Sequence, residues 1–399
     1  MQADHRPWRT RHAVVLAAGE SRRTRPLTLH TPKPLIPLIE HPLLGYILDE
    51  MVGLVDQVTL VVGYRADDIR QSLGTQYRGM ALQYVHQQGM KGTAGALLAV
   101  ADAGGLDEPF LLLYGDNLIS RVDLVQVCQQ RYAMAALPVD APSAFGILEV
   151  IDQHVVRIIE KPAQAPPGSL ANPGIFHFDS DVFPLLRQIQ PSPRGEYELT
   201  DLIALVASRH PFAYHICQGN WVPVGTPWEA LIATMFLLAR DITSDTAEVR
   251  AQTVGQDLTI HGPVQIGRAQ IGPNCTIQGP CFIGDDVVIG AGCRINQGVL
   301  ERGVTLGMNC TLQHSVLRAG VSVGGNSVIE YSFLDQQAST GTAAHMHARV
   351  FDDIIPIAHA PGLLQREQQR QRGVVLGSGV VVPAGATLAA GTVVFPPES

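Results

Sequence analysis

The chain has 399 residues, of which 46% are hydrophobic and 16% are charged, and its formal net charge is −8. This composition excludes a disordered chain and predicts a globular protein with two domains. No run of Lys and Arg could track a phosphate backbone, and no stretch of about 18 apolar residues could span a membrane, so we expect neither nucleic acid nor a membrane as a partner.

The first half of the chain alternates short apolar runs with longer mixed segments. Residues 1–11 are polar and have no apolar core of a signal peptide, so we expect an N-terminal extension on a soluble cytoplasmic protein. The apolar runs predict buried strands at 12–16, 58–62 and 110–114, and the segments between them predict helices that include 43–55 and 95–103. This alternation predicts an α/β doubly wound mixed sheet, Rossmann-like, over residues 12–240.

A helix at 229–240 is predicted to close this domain, and the polar run 241–252 to be a linker. From residue 253 to 399, an apolar residue followed by glycine recurs about every six positions. Six-residue periodicity is typical of a parallel β-helix, which we expect to be left-handed. Residues that follow this pattern are Val254, Ile266, Ile271, Ile283, Ile289 and Leu306. The register is interrupted between Asp335 and Arg372, which predicts either a loop or a site at the edge of a coil; His345, His347 and His359 fall there.

The cysteines follow the same repeat. Four of the six lie in the second half, each four residues after an apolar residue that opens a repeat: Cys275, Cys281, Cys293 and Cys310. We interpret them as small buried side chains that fill the interior of the coils. A zinc or redox role is the alternative.

The most informative segment follows the first predicted strand and reads Leu16-Ala-Ala-Gly-Glu-Ser-Arg-Arg-Thr-Arg-Pro-Leu-Thr28. A loop of small residues after a strand presents backbone N–H groups to a phosphate, and guanidinium groups neutralise its charge. Shortly afterwards, Thr31-Pro-Lys-Pro-Leu-Ile-Pro37 holds Lys33 between two prolines, which restrict its backbone. This order of residues predicts a phosphate-binding loop; the alternative is a simple turn with solvated arginines.

The two segments resemble the signature of the sugar-1-phosphate nucleotidylyltransferases. The likeness is to glucose-1-phosphate thymidylyltransferase or uridylyltransferase-like members in their long form, which ends in a left-handed β-helix. It spans roughly residues 12–240. Further matches follow in the family's order at Gln87 and Gln88 with Gly92-Thr-Ala-Gly95, Gly115-Asp116-Asn117, Phe145-Gly146, Glu160-Lys161-Pro162, Asn172-Pro-Gly174, Arg194 to Asp201, and Gly225-Thr-Pro227.

The resemblance implies a metal-dependent displacement, in which a sugar-phosphate oxygen attacks the α-phosphorus of an NTP and pyrophosphate leaves. It implies that Arg23 and Lys33 hold the triphosphate, that Asp116 holds Mg²⁺, and that Lys161 meets the sugar phosphate. It assigns nucleotide binding to Leu16, Ala17, Ala18, Gly19, Gln87 and Gly92, and sugar binding to Gly146, Glu160 and Asn172. It favours dTTP or UTP with glucose-1-phosphate, and guanylyl transfer to mannose-1-phosphate stays open.

Three residues depart from the family pattern. Ser21 replaces a glycine, Arg22 replaces a threonine, and Pro223 replaces the aspartate that supplies a second metal carboxylate in the motif Trp-x-Asp-x-Gly-Thr. Asn220 is three residues away, which places it on the opposite face of a strand. Two hypotheses follow: an enzyme whose metal is held by Asp116 with the phosphates and water, or a sugar-nucleotide-binding regulator with little or no activity.

The second domain leaves two further readings open. Acyl transfer from acetyl-CoA would need a base, for which His345 and His347 are the candidates. Alternatively the β-helix sets the oligomeric state, and the resemblance implies a homo-oligomer built on trimers.

Overall fold

A computed structural model describes residues 10–89, 91–193, 195–352 and 368–397 of the chain. Most of the predicted N-terminal extension 1–11 lies outside these residues, as do Arg194 and His359. No helix within these ranges is long and apolar enough to cross a membrane.

The first domain contains a mixed sheet with helices on both faces. Its strands are β1 (His12–Ala17), β2 (Pro37–Leu38), β3 (His41–Pro42), β4 (Gln57–Val62), β5 (Gln76–Tyr77), β6 (Met80–His86), β7 (Phe110–Tyr114), β8 (Asn117–Leu118), β9 (Ala133–Val139), β10 (Gly146–Ile151), β11 (His154–Glu160), β12 (Ser169–Ala171), β13 (Ile175–Phe178), β14 (Ala213–Ile216) and β15 (Val222–Pro223). Its helices are α1 (Leu43–Asp49), α2 (Ala66–Leu73), α3 (Thr93–Asp102), α4 (Arg121–Val127), α5 (Val182–Leu186), α6 (Leu199–Ala207) and α7 (Pro227–Asp241). Short 3₁₀ turns span Arg22–Thr24, Lys33–Leu35 and Pro142–Ala144.

Strand β1 lies at the centre of this sheet, whose order is β11-β10-β12-β9-β13-β7-β1-β4-β6-β5, with β14 beside β9. It runs parallel to both β4 and β7. Alternate residues of β1 belong to separate cores, Ala13 and Val15 on one face and Val14 on the other. The three predicted apolar strands are confirmed. Their apolar runs are continuous because both faces of these strands are buried.

Three helix ends differ from the prediction by two residues or more, one of them the start of α3, which lies at Thr93. Helix α1 ends at Asp49, well before residue 55, and the rest of that segment forms turns. Helix α7 begins at Pro227, because the Thr226 side chain accepts a hydrogen bond from the backbone N–H of Glu229 and so caps the helix. Helix α7 is buried along most of its length.

The second domain is a left-handed parallel β-helix with three faces. Face one has β16 (Glu248–Val249), β19 (Val264–Ile266), β22 (Cys281–Ile283), β25 (Val299–Leu300), β28 (Val316–Leu317), β31 (Phe333–Leu334), β36 (Val374–Leu376) and β39 (Thr392–Val394). Face two has β17 (Thr253–Val254), β20 (Gln270–Ile271), β23 (Val288–Ile289), β26 (Thr305–Leu306), β29 (Ser322–Val323), β32 (Ser339–Thr340) and β37 (Val381–Val382). Face three has β18 (Thr259–His261), β21 (Thr276–Gln278), β24 (Arg294–Asn296), β27 (Thr311–Gln313), β30 (Val328–Glu330), β33 (His345–Met346) and β38 (Thr387–Leu388).

Coils stack in register at intervals of 17 or 18 residues, as Ile266 on Ile283 and Ile271 on Ile289 show. Their inward side chains form one continuous core. Strand β16 belongs to the first coil, although it falls in the segment predicted as a linker. All six cysteines are buried, and the predicted role as filling of the coil interior is confirmed for Cys275, Cys281, Cys293 and Cys310.

The predicted start of the register break at Asp335 is wrong. The coil continues through β32 and β33, where Ala338, Thr340, Ala344 and Met346 take the buried positions without the usual pattern of apolar residue and glycine. The interruption comes only after β33, since Leu334 pairs with Leu376, 42 residues later. The two ends of this insertion pair as an antiparallel hairpin, β34 (Arg349–Val350) with β35 (Gln371–Arg372), and a 3₁₀ turn at Gln368–Arg370 precedes β35.

Face one of the β-helix packs against the first domain. Its outward side chains Val299, Val316, Phe333 and Val375 are fully buried and join the same core as helix α7. Burial of such side chains contributes roughly 1.5–3 kcal/mol each. The two domains therefore share a hydrophobic core.

Candidate active site

A cleft of about 370 Å³ opens at the carboxyl ends of the central strands. Leu16, Ala17, Ala18 and Gly19 line it, as the sequence predicts for the nucleotide-binding backbone. The loop stays close to its neighbours because the Gly115 N–H bonds to the Leu16 carbonyl at 2.9 Å and the Tyr64 N–H bonds to the Ala18 carbonyl at 3.1 Å. Open α/β sheets bind ligands at this edge.

Gln87 and Gly92 form one wall of the cleft. The Gln87 side-chain amide donates to the Gly92 carbonyl at 3.1 Å. Gly92 has a φ of +91°, and a Cβ there would overlap the Tyr197 carbonyl, to which the Ala94 N–H donates at 2.9 Å. Only glycine fits this position, so the wall has a fixed shape beside the loop at 16–19.

Lys33 and Asp116 meet at the centre of the cleft. The Lys33 Nζ lies 2.8 Å from Asp116 Oδ2. The lysine side chain is only 7% exposed and the aspartate side chain 44% exposed, so the ammonium group is held in place and the carboxylate faces the cleft. The 3₁₀ turn Lys33–Leu35, preceded by Pro32, fixes the lysine backbone.

Arg23 lies outside this lining. It is exposed on the 3₁₀ turn Arg22–Thr24, near Gly225, whose carbonyl accepts a hydrogen bond from the Thr24 hydroxyl at 2.9 Å. Arg22 also points outward, because its guanidinium pairs with Glu20 at 2.8 Å. The cleft lining thus contains Lys33 but neither arginine.

Ser21 takes a left-handed conformation, which the glycine of the family pattern would adopt without strain. Its φ is 53° and its ψ is 50°. The conformation aims the Ser21 carbonyl at the Thr24 N–H and the Thr28 hydroxyl, each 3.0 Å away. These bonds hold the loop in place.

The residues assigned to the sugar come together on β10, β11 and β12. Gly146 pairs with Glu160, the Asn172 N–H bonds to the Gly146 carbonyl at 2.9 Å, and the Lys161 N–H bonds to the Phe145 carbonyl at 2.9 Å. A Cβ at Gly146 would lie 3.0 Å from the Glu160 carboxylate. The glycine therefore leaves room for the carboxylate beside it.

Tyr114 lies in the cleft lining and is not among the residues that the sequence predicts for the site. Burial raises the pKa of its phenol, and the nearby side chains of Asn172 and Thr93 act against that rise. A Cβ at Gly174 would overlap the Tyr114 ring. The one signal in the sequence is its place directly before Gly115 and Asp116. Glu196 and Glu198 also line the cleft and were not predicted.

Pro223, which replaces the aspartate of the family motif, lies next to the segment of Asp116 and Asn117. Strand β15 pairs with β8, so that Pro223 lies opposite Asn117, and the Val224 N–H bonds to the Asp116 carbonyl at 3.0 Å. Asn220 bonds to Ser120 through its backbone instead. Within the described ranges, no group of three or more His, Cys, Asp or Glu side chains could hold a metal ion.

His345 lies apart from the cleft lining, on strand β33 of face three. It pairs with Val328 and Thr387 and is half-buried. Its ring stacks on His347 with centroids 5.7 Å apart, and the His347 Nδ1 lies 3.3 Å from Glu330 Oε2. The two histidines therefore form a separate polar group on the β-helix surface.

Comparison with known proteins agrees with this geometry. Residues 12–240 match the nucleotidyl transferase family, and residues 267–297 match the hexapeptide repeat of bacterial transferases. The chain is 32% identical over 243 residues to the bifunctional protein GlmU of Methanocaldococcus jannaschii, a match that covers 61% of this chain and 58% of GlmU.

Two further relatives match the first domain over most of their own length. The UTP–glucose-1-phosphate uridylyltransferase AglF of Haloferax volcanii is 37% identical over 203 residues, which cover 49% of this chain and 82% of AglF. The crystal structure of a candidate glucose-1-phosphate thymidylyltransferase from Bacillus anthracis, in complex with a sucrose, is 28% identical with a TM-score of 0.52. That match covers 59% of this chain and 96% of the other.

Proposed function

The chain belongs to the nucleotidyl transferase family, and on that premise we propose that it transfers a nucleotidyl group from an NTP to a hexose-1-phosphate. A phosphate oxygen of the sugar attacks the α-phosphorus, the bond from that phosphorus to the bridging oxygen breaks, and pyrophosphate leaves. The observation that carries the proposal is the cleft in which the loop 16–19, Lys33 and Asp116 converge.

Positioning and charge neutralisation supply most of the catalysis in such a reaction. Backbone N–H groups of residues 16–19 bind the triphosphate, and Lys33 neutralises charge at the reacting phosphorus. Arg23, exposed beside Gly225 and outside the lining, would have to turn its side chain toward the cleft to meet the departing pyrophosphate. Gln87 and the backbone at Gly92 contact the base, on the wall that they form together.

Gly146, Glu160 and Asn172 contact the sugar, and Lys161 meets its phosphate. Their arrangement on three adjacent strands supports this role. UTP or dTTP with glucose-1-phosphate are the proposed substrates, in line with the activities named for AglF and the Bacillus anthracis protein. Because these substrates are cytoplasmic metabolites, we propose the cytoplasm as the location.

Mg²⁺ is the proposed cofactor, and the residues present fit an ion held by one protein carboxylate. Asp116 supplies a half-exposed hard oxygen ligand, and Mg²⁺ commonly keeps water and phosphate oxygens as its other ligands. The ion would neutralise phosphate charge in the cleft. Because Lys33 already pairs with Asp116, the carboxylate would be shared between the ammonium group and a bound ion.

Pyrophosphate release by the full chain tests this function. Four NTPs are each combined with glucose-, mannose- and N-acetylglucosamine-1-phosphate, with Mg²⁺ or EDTA. We expect magnesium-dependent release with UTP or dTTP and glucose-1-phosphate. Asp56→Asn removes an exposed carboxylate that pairs with Arg11 and should leave this activity intact. If none of the NTP–sugar pairs gives pyrophosphate release, the proposed function is rejected.

The position of Pro223 favours one alternative, a sugar-nucleotide-binding regulator that kept the cleft and lost turnover. Such a protein would bind UDP-glucose or dTDP-glucose in calorimetry while releasing no pyrophosphate. The enzyme proposal expects both binding and turnover from the same preparation.

For the β-helix we propose a role in homo-oligomerisation on a trimeric plan. Light scattering should give the mass of three chains or a multiple of it, and a monomer would reject this proposal. The pair of His347 and Glu330, with His345 beside it, favours acyl transfer from acetyl-CoA as a second candidate activity. Loss of acetyl-CoA turnover in His345→Ala with retained binding would support it, and absence of any turnover would reject it.

A further inference from the structure

The segment 26–40, which carries Lys33, lies along one corner of the β-helix. This corner, here called the corner column, consists of the residues that follow the face-one strands: Gly284, Glu301 with Arg302, Arg318, Asp335 and Gly377. Near one end of the segment, Pro26 packs on Gly377, where a Cβ would come within 2.9 Å of the proline ring. At the other end, the Glu40 carboxylate accepts a hydrogen bond of 2.9 Å from the Arg302 N–H.

The contact at Glu40 supports a strained turn. Ile39 and Glu40 connect β2 to β3, and their φ angles are 54° and 62°. Left-handed backbone is unfavourable for a residue with a Cβ, and a β-branched isoleucine is rare there. Such a turn persists when its surroundings hold it. The Arg302 N–H does so, and Gly284 leaves room, since a Cβ there would lie 2.9 Å from Glu40 Oε1.

The corner column is rigid beneath the segment. Arg318 lies between two carboxylates, 2.9 Å from Glu301 Oε2 and 3.1 Å from Asp335 Oδ1, and all three side chains are at most 7% exposed. Backbone N–H groups of Ala319 and Gln336 also bond to these carboxylates. Burial raises the pKa of Asp335, and Arg318 and, from midway along the segment, His30 act against that rise.

We propose that the β-helix is a positioning element of the nucleotidyl-transfer site. The corner column holds the segment 26–40 near both ends and thereby fixes Lys33 against Asp116, with Glu40 as the positioning residue. This inference rests on the proposed function for its effect on turnover, but not for its effect on the segment itself. A misplacement of about 1 Å in a reacting group can cost up to 100-fold in rate.

Amide hydrogen exchange on the full chain tests the inference without relying on activity. We expect Glu40→Ala to accelerate exchange at Leu35 and Ile36, whose N–H groups bond within the turn that holds Lys33, by tenfold or more. Glu40→Gln keeps an acceptor for the Arg302 N–H and should restore the wild-type rates. Glu248→Ala, an exposed glutamate on the first coil, is the control and should leave them unchanged. Wild-type exchange at Leu35 and Ile36 in Glu40→Ala would overturn the inference.

Turnover supplies the second readout. Glu40→Ala should lower kcat about tenfold and leave the KM for the sugar phosphate within twofold, and Glu40→Gln should recover most of kcat. Gly377→Ala places a methyl group 2.9 Å from Pro26 as well as 2.8 Å from Pro396 and should act in the same direction. Gly290→Ala crowds Met308 and Gly307 and is the control for strain within the β-helix alone. Equal kcat in Gly377→Ala and Gly290→Ala would count against the inference. A wild-type chain without turnover would reject the proposed function. The inference that the β-helix positions the segment 26–40 would then be decided by the hydrogen-exchange result.

Discussion

Ser21 shows how one residue carries strain in the loop that faces the cleft. Its left-handed backbone costs more for serine than for glycine, and its hydroxyl caps no backbone group of the 3₁₀ turn Arg22–Thr24. The bonds that orient the loop come from its carbonyl, which glycine also has.

We therefore predict that Ser21→Gly raises the free energy of unfolding of the first domain by about 0.5–1 kcal/mol. Ser208→Gly is the contrasting variant, because Ser208 has a φ of −70° and its hydroxyl donates to the Leu205 carbonyl at 2.7 Å, so glycine there should lower stability. Denaturant midpoints of both variants and of the wild type give the comparison. Ser21→Gly no more stable than the wild type would contradict the interpretation of Ser21 as strained.

Pro223 gives a second prediction at this scale. Pro223→Asp would place a carboxylate beside Asp116 on strand β15. The added charge should lower the Mg²⁺ concentration for half-maximal activity by tenfold or more. Pro223→Asn supplies a similar shape without the charge and should shift it much less. A magnesium dependence equal in the Asp and Asn variants would show that residue 223 lies out of reach of the ion.

The position of some residues in the site could be predicted from the sequence, and that of others could not. Lys33, Asp116 and Gly92 stand in ordered motifs and line the cleft. Gly146 also stands in a motif, and it pairs with Glu160 on the neighbouring strand. Arg23 stands in an equally clear motif but lies outside the lining, because a motif does not fix the direction of a flexible side chain. Tyr114 was missed because its neighbours Asn172 and Thr93 are distant in sequence.

At the scale of elements, the β-helix was predictable because its rule is local. Each inward position needs a small or apolar residue, and the next coil repeats it 17 or 18 residues later. The start of the interruption differs from the prediction because Thr340, before Gly341, is not apolar, and because no glycine follows Met346. Helix α1 was predicted too long for a related reason, since apolar residues at 51–55 are buried in turns.

The corner residue His314 gives a prediction for the β-helix. Burial lowers the pKa of this imidazole to about 4, and its ring packs 4.6 Å from that of Tyr331. Between pH 6.5 and about 4 the unfolded chain binds this proton and the folded chain does not. The stability that His314 contributes is therefore complete above pH 6.5 and decreases as the pH falls, by about 3 kcal/mol in total.

His314→Asn keeps a residue that tolerates the observed φ of 44° and removes the titration. The unfolding free energy should therefore decrease less between pH 7 and pH 5 in this variant than in the wild type. The same pH dependence of stability in the variant and the wild type would contradict the role given to His314.

At the scale of the whole molecule, the shared core between the domains could not be predicted. Phe333 and Val375 look like any other apolar residues of a coil, and only the fold shows that they face helix α7. Contacts such as Pro26 on Gly377 join residues more than 300 positions apart. The sequence thus predicted two architectures correctly but not that one supports the other.

The central claim is that the cleft transfers nucleotidyl groups and that Asp116 is the carboxylate that holds the metal. The most direct measurement is nucleotide-sugar formation from UTP or dTTP and glucose-1-phosphate by the full chain and by Asp116→Ala, with Mg²⁺ present. We predict turnover by the wild type and a loss of at least 1,000-fold in the variant, roughly 4 kcal/mol of transition-state stabilisation. Turnover retained in Asp116→Ala, or absent from a wild-type chain that binds nucleotide sugars, would contradict it.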